Sequence, residues 1–537
     1  MKSENDIKQT MNWPPVCRFF KTRSVLALVS FCWLLLIFII FSITNVFDKI
    51  PNDVNSVQYE GQYHQLNDRL NEANRQIQTL MSQNRELMQN LQVLNGIKKK
   101  RPELLTKYPL NVEIVANSGL TSEFEQSLRR LKQNTDEVWL YLKKRLDSKS
   151  MSFVEELRYN MIFDLNVLSQ RDSRLRAEEL KSLGELVQNR ISRMQNPNDC
   201  QKAKKLVCDL NKNCGFGCQM HHLSHCLVAA MALNRTLIAK TNEWRTNSAN
   251  DNVWNKVFQP LSDNCLDAQD RDQTYWKDGD LSGFQVIRYP IIDFIDPIPN
   301  FLPLVIPQQI SEKIIKLSGE PFIWFIGQLL KYIMRPSDYM NDYIRKFKQQ
   351  NQFNHPIVGI HVRRTDKIGT EAKFHSIDEY MHFVDDFYNK LDVENERKGL
   401  SERHKRRVYL ATDEPDVWKT EITPFKEKGY VFTGDIKLSE SADPMQRSGF
   451  DSLHNVIVDL MLLSQCDYIV CTFSSQICRL AFELMQTRVS TQDLSSAFYS
   501  LDDIYYFGGQ VSNIQTNYSI SKLTNLFINR YFTERRQ

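Results

Sequence analysis

Residues 357–362, Ile-Val-Gly-Ile-His-Val, form a short apolar run of the kind found in a strand covered on both faces. Such a strand needs helices above and below it, which confines this part of the chain to a parallel α/β sheet. Where the run ends, polar groups crowd in: His361, Arg363, Arg364, Asp366, Lys367 and Glu371. Ligands of open α/β sheets sit beyond the carboxyl ends of the strands, so a site belongs here. Adjacent arginines suit an anion, because guanidinium forks grip phosphate oxygens in pairs. Lys367 and Glu371 stand four residues apart, a spacing fit for a polarising cation and a general base. A surface loop of mixed charge is the bland alternative.

The same strand, turn and helix grammar appears elsewhere. From residue 199 the chain reads KKLVCDL as a strand, NKNCGFGC as a turn, QMHHLSHCLVAAMALN as a helix and RTLIAK as a strand. Gly215 and Gly217 in that turn fit a phosphate cradle, although most such glycine pairs are plain turns. Further on, RVYLATDEPD predicts a strand ending at Asp413 and Glu414. LHNVIVDLMLLSQ predicts a helix with Asp459 on an apolar face, where an unpaired carboxylate is expensive and a partner is expected, a nucleotide base being one. DYIVCTF is a strand, and Ser474 and Ser475 open the helix after it, placed to welcome phosphate or simply to cap. FIWFIGQLLKYIMR (322–335) predicts an aromatic helix beneath this second unit. SLDDIYYFGGQ (500–510) sets Asp502 and Asp503 beside Tyr505 and Tyr506, either a sugar-binding lip or a surface turn. The tripeptides Asp270-Arg271-Asp272 and Asp278-Gly279-Asp280 lie in polar sequence with no apolar strand before them and read as solvated loop charges. Asp293, in YPIIDFIDPIPNFLPL, has an apolar setting.

Ahead of these units, Val25 to Ile43 is nineteen residues without a charge, enough to span a bilayer. Basic residues precede it (Lys2, Lys8, Arg18, Lys21, Arg23), so the bias puts the N-terminus in the cytosol and the rest in a lumen. Its length and the lack of a small-residue cleavage site favour an uncleaved signal anchor. Leu66, Leu70, Ala73, Ile77, Leu80, Asn84, Leu87, Leu91 and Leu94 then alternate spacings of four and three. A lone Asn at an a position favours a two-stranded coil, so a dimerising stem is expected. Residues 122–195 are helical in pattern and are expected to form a pair or hairpin. The net charge is only +4, which makes nucleic acid a poor partner. Of eleven cysteines, six cluster between Cys200 and Cys265 and three between Cys466 and Cys478. Cys214, Cys218, His221, His222, His225 and Cys226 fit zinc as well as cystines; the luminal setting favours cystines. The sequons at Asn234 and Asn517 are compatible with that setting.

Four separate strings, KAKKLVC with CGFGCQ, HVRRTDKIGTEA with DEYM, YLATD, and CTFSSQ with SLDDIYYFGGQ, closely resemble the eukaryotic α1,6-fucosyltransferases that core-fucosylate N-glycans. The resemblance implies a GT-B-like α/β fold of two facing Rossmann-like units, GDP-fucose as donor, inversion at the anomeric carbon, no metal and a Golgi membrane location. It also implies the pairings Cys200–Cys265, Cys208–Cys226, Cys214–Cys218 and Cys471–Cys478, with Cys466 free. By position, Arg363 would bind the β-phosphate, Arg364 would order the loop, and His361 and Asp459 would face guanine. Ser475 would lie near the phosphates, with Gln476 and Gly217 also on the donor side. Glu371 would deprotonate the 6-hydroxyl of the innermost GlcNAc with help from Lys367. Tyr380, Asp413, Lys212, Asp293, Asp502 and Asp503 would line donor or acceptor.

The expected organisation is a cytoplasmic tail (1–24), anchor (25–43), stem (44–101, coiled coil 63–97), luminal helical region (102–198), first α/β unit (199–350), GDP-fucose-binding unit (351–510) and a short tail (511–537). Family members continue past the position of Gln510 into a Src-homology-3-like barrel that contributes to acceptor binding. Residues 511–537 lack its alternating strands. A fucosyltransferase with another acceptor, and a silent Golgi glycan-binding or scaffold protein, therefore stand beside the core enzyme as expectations.

Overall fold

The computed structural model describes residues 122–505, apart from 171–172, 211, 213, 242–243, 245–251, 269–272, 278, 296–305, 366–367, 369–371, 441–449 and 503–504. The expected anchor, stem and tail lie outside the described residues, as do Asp270, Asp272, Asp278, Asp366, Lys367, Glu371, Asp503, Tyr506 and Asn517. Among the described residues no helix is long and apolar enough to cross a membrane.

Three helices come first: α1 (Ser122–Lys143), α2 (Ser148–Gln170) and α3 (Ser173–Gln195). The expected pair is therefore three. The first break falls at Asp147, whose Oδ1 accepts from the N–H groups of Lys149 and Ser150, both at 3.0 Å, and so starts α2 afresh. In α3, Leu183, Val187 and Ile191 recur at four-residue spacing and are buried in the core of the first α/β unit.

That unit contains β1 (Lys205–Asp209), α4 (Phe216–Ala232), β2 (Thr236–Lys240), β3 (Gln273–Tyr275) and β4 (Val286–Tyr289), and its sheet runs β2-β1-β4-β3. Helices α5 (Gln308–Leu317), α6 (Pro321–Ile333) and α7 (Asp338–Gln350) lead to the second unit. There β5 (Val358–Val362), α8 (Ile377–Arg397), β6 (Arg407–Thr412), β7 (Val431–Thr433), α9 (Phe450–Leu463), β8 (Tyr468–Cys471), α10 (Gln476–Met485) and β9 (Phe498–Ser500) build a sheet ordered β7-β6-β5-β8-β9. Every pairing in both sheets is parallel. In each, the chain works outward on one side of its first strand and then returns to the other. The switch points lie between β1 and β4 and between β5 and β8, where a crevice opens at the carboxyl ends.

Pro321 starts α6 at a position where its missing N–H is harmless. Ile323, Trp324, Phe325, Ile326, Leu329, Leu330 and Ile333 are all buried, each worth roughly 1.5–3 kcal/mol. The helix packs against both α4 and α10, so it serves both units and not the second alone. A Cβ on Gly327 would stand 2.0 Å from the Glu483 carbonyl oxygen, which means the α6 and α10 backbones touch there. One core cluster consequently runs from α3 through both units to Tyr505.

Candidate active site

At the tips of the second sheet, register decides who meets whom. Val362 pairs with Thr412, so Arg363 comes level with Asp413 on the next strand, and the two form an ion pair. Asp413 also accepts from the Arg364 backbone N–H at 2.9 Å and from the Thr365 hydroxyl. Arg364, 4% exposed, pairs with Glu421, with one contact at 2.9 Å, and donates to the His375 carbonyl at 3.0 Å. Its guanidinium lies 4.5 Å from the Phe374 ring centre. Arg364 thus holds the far end of the loop that carries Lys367 and Glu371. Beyond His375, Ser376 and Glu379 form a capping box that starts α8.

Ile360 pairs with Val470, which brings the end of β5 beside Cys471 to Phe473. His361 Nδ1 on β5 and Thr472 Oγ1 just past β8 are buried polar atoms lacking a hydrogen-bond partner. Burial, with Arg363 adding to it, pushes the His361 imidazole down to about 3, so it is neutral at ordinary pH. Ser475 precedes α10, but its side chain makes no capping hydrogen bond, which removes the capping reading. Ser474 is instead tied to Asp502, hydroxyl to carboxylate. The Cys471–Cys478 disulfide closes the turn between β8 and α10.

The first unit answers from its own switch point. Cys208 pairs with Tyr289, and four residues on, Lys212 and Asp293 meet in a 2.6 Å ion pair. Asp293 sits in an exposed 3-10 turn, so the apolar setting read from sequence does not hold: its hydrophobic neighbours in sequence do not enclose it. Gly215 begins α4 with no side chain to cap it, and the Cys214–Cys218 disulfide spans that turn. A Cβ on Gly217 would fall 2.6 Å from Gln476 Cβ. The starts of α4 and α10 are therefore in contact, and two sets of free backbone N–H groups and two positive dipole ends share one locality.

Several expectations change. Asp459 has its partner within the protein: the Tyr409 hydroxyl donates to Oδ1 at 2.6 Å, and burial raises the carboxyl to about 7. Tyr505 does not belong to an open lip; it is buried, and its hydroxyl donates to Glu483 at 2.6 Å. Tyr380, 1% exposed, lies within the core that backs the second sheet. Gln476 turns its side chain to His221, and Gly217 serves the close approach of two helices. Asp280, from the second acidic tripeptide, accepts from Ser282 and is exposed, as a loop charge should be. All four expected cystines are present, with Cys466 free and buried. Cys208, His222 and Cys226 do converge, but both sulfurs are joined to each other, so the zinc reading yields to the disulfide. Sequence reasoning missed Glu421 and Thr365 as partners of the arginines. Glu421 carries no local signal, since it depends on how a turn 57 residues away folds back, whereas Thr365 lies two residues from Arg363 and is within local reach.

Fold and site together define an α/β protein of two parallel sheets, with two arginines at the carboxyl end of β5 and the starts of α4 and α10 in contact. Residues 16–506 match the family described as alpha-(1,6)-fucosyltransferase N- and catalytic domains. A Drosophila melanogaster protein named alpha-(1,6)-fucosyltransferase is 38% identical over 409 residues, covering 72% of this chain and 64% of that one. A Caenorhabditis elegans protein of the same name is 32% identical over 447 residues, covering 82% of this chain and 76% of that one. The chain belongs to this family. It spans just under two thirds of the Drosophila relative's length. Among solved structures, POFUT1 in complex with GDP-fucose is a distant likeness, 13% identical over 56% of this chain and 99% of that one, with a TM-score of 0.35.

Proposed function

We propose that this protein transfers fucose from GDP-β-L-fucose to the 6-hydroxyl of the innermost GlcNAc of N-glycans, with inversion and without a metal. The observation that carries the donor half is the meeting of two uncapped helix starts, α4 and α10, the second of which follows β8, the strand that pairs with β5. A diphosphate satisfies such a place: backbone N–H groups and dipoles take its oxygens, and a guanidinium matches its charge. The orphaned His361 Nδ1 is the group offered to guanine, while the Asp459 carboxylate is engaged by the Tyr409 hydroxyl.

In the reaction, the 6-hydroxyl oxygen forms a bond to fucose C1 while the bond from C1 to the β-phosphate oxygen breaks. Its proton passes to the Glu371 carboxylate, and the bonding electron pair departs with GDP. Lys367 assists the base, and Arg363 stabilises the charge that grows on the leaving phosphate. One displacement from the opposite face inverts C1. Lys212, Asp293, Asp502 and Asp503 belong to the acceptor side. The two units face each other as GT-B halves, and the whole is a Golgi type II membrane protein that dimerises through its coiled-coil stem.

The test uses the full-length chain in detergent with GDP-fucose, EDTA and a GlcNAc-terminated biantennary glycopeptide, beside Glu371→Gln. Fucose on the 6-position of the reducing-end GlcNAc, lost in the variant, is expected. Tight GDP binding with no transfer would keep the donor site and overturn the acceptor reading. Transfer that vanishes with EDTA would overturn metal independence.

A further inference from the structure

We infer that His221 is a positioning residue for the donor diphosphate, the strut that fixes the two helix starts relative to each other. This rests on the donor reading above. His221 lies in α4, in the first unit, and is 3% exposed. Its Nδ1 stands 2.5 Å from Gln476 Oε1, and its Nε2 stands 2.9 Å from Glu483 Oε2. Both partners belong to α10, in the second unit, and Gln476 is that helix's first residue. One imidazole thus bridges the opening turn of α10 and a point two turns along it. Glu483, fully buried, also accepts from the Tyr505 hydroxyl at 2.6 Å, which anchors the far end of the strut.

Two features make this bridge bear on the ligand as well as on folding. Each helix start is already closed by its own disulfide, Cys214–Cys218 in α4 and Cys471–Cys478 between β8 and α10, so each turn is rigid alone. What those disulfides leave unset is the distance between the turns. Gly217 removes the side chain that would hold them apart, and His221 supplies the polar contact that holds them together. The Glu483 carboxylate only accepts, so the ring proton sits on Nε2, and Nδ1 accepts from the Gln476 amide nitrogen once that amide is turned to present it.

The test compares full-length wild type, His221→Ala, His221→Gln and Glu483→Gln. GDP affinity is measured by calorimetry, and KM for GDP-fucose, KM for the acceptor and kcat come from steady-state transfer. His221→Ala is expected to raise the GDP Kd and the GDP-fucose KM by about tenfold, with acceptor KM and kcat within about twofold. His221→Gln, which can still bridge, should recover part of the loss. A role in folding alone would lower the folded fraction and apparent kcat and leave both donor constants unmoved; that result overturns the inference. If His221→Ala does not fold, the near-isosteric Glu483→Gln decides: a GDP Kd unchanged from wild type overturns the inference, and a rise of about threefold or more supports it. Wild type that fails to bind GDP sinks the donor reading first, and the strut with it.

Discussion

Asp459 and Arg364 show how single side chains are set by what folds against them. The Asp459 carboxyl is raised from an ordinary 3.8 to about 7, chiefly by burial, with Tyr409 opposing and Asp435 adding to the rise. A raised folded-state value means the folded protein binds this proton more tightly. The stabilisation is therefore complete below about 3.8 and is lost as pH rises through about 7. Melting curves across roughly pH 5 to 8 should fall more steeply for wild type than for Asp459→Asn, and parallel profiles would refute the assignment. Arg364→Lys keeps the charge but loses the paired contact to Glu421 together with the His375 carbonyl. It should reduce kcat/KM by about tenfold or more, since lysine cannot reproduce the fork. Steady-state kinetics would show no change if the loop carrying Glu371 is held by other means.

Among elements, the glycines of α4 and α6 separate what a motif looks like from what it does. Gly215 and Gly217 read alike in the string CGFGC, yet a Cβ on Gly215 meets nothing within 4 Å and one on Gly217 lands 2.6 Å from Gln476 Cβ. Gly215→Ala should leave GDP affinity unchanged, and Gly217→Ala should weaken it as α10 is pushed away; calorimetry on the pair distinguishes them. Gly327→Ala would drive a methyl into the Glu483 carbonyl, backbone against backbone, with little room to yield. Overpacking of this kind costs about 1–3 kcal/mol, readable as a lower Tm. A Tm equal to wild type would mean that α6 and α10 can slide.

Of the three leading helices, α2 is fastened to the second unit by charge. Arg158 in α2, 4% exposed, pairs with Asp386 in α8, and Lys390 reaches the same carboxylate at 3.0 Å. Burial alone would raise Asp386, but Lys390 and then Arg158 overcome it and hold the group down to about 2. A depressed value contributes stability that is present above the ordinary 3.8 and is lost as pH falls toward about 2. Asp386→Asn leaves Arg158 only its second partner, the half-exposed Asp136, so it should destabilise the protein by about 1–3 kcal/mol. Limited proteolysis should then cut first within residues 122–170. Cleavage no faster than in wild type would mean that apolar packing alone seats α2.

Much of this is legible in the sequence. IVGIHV and DYIVCTF announce themselves as parallel strands because apolar runs buried on both faces need no partner to be recognised. The charged tip at Arg363 and Arg364 follows from where such strands end, and the four cystines came with the family's motifs. Local pattern could not reveal which residues meet across the chain. By local pattern His221 is a metal or core histidine, Tyr505 is a sugar platform and the partner of Asp459 is a nucleotide base; the fold sets Gln476 and Glu483 against His221, Glu483 against Tyr505 and Tyr409 against Asp459. Sequence determines the elements, since periodicity and propensity act over a few residues. The tertiary structure alone decides the partners, because a contact between Arg364 and Glu421, or between His221 and Gln476, exists only after two distant segments have been folded into register.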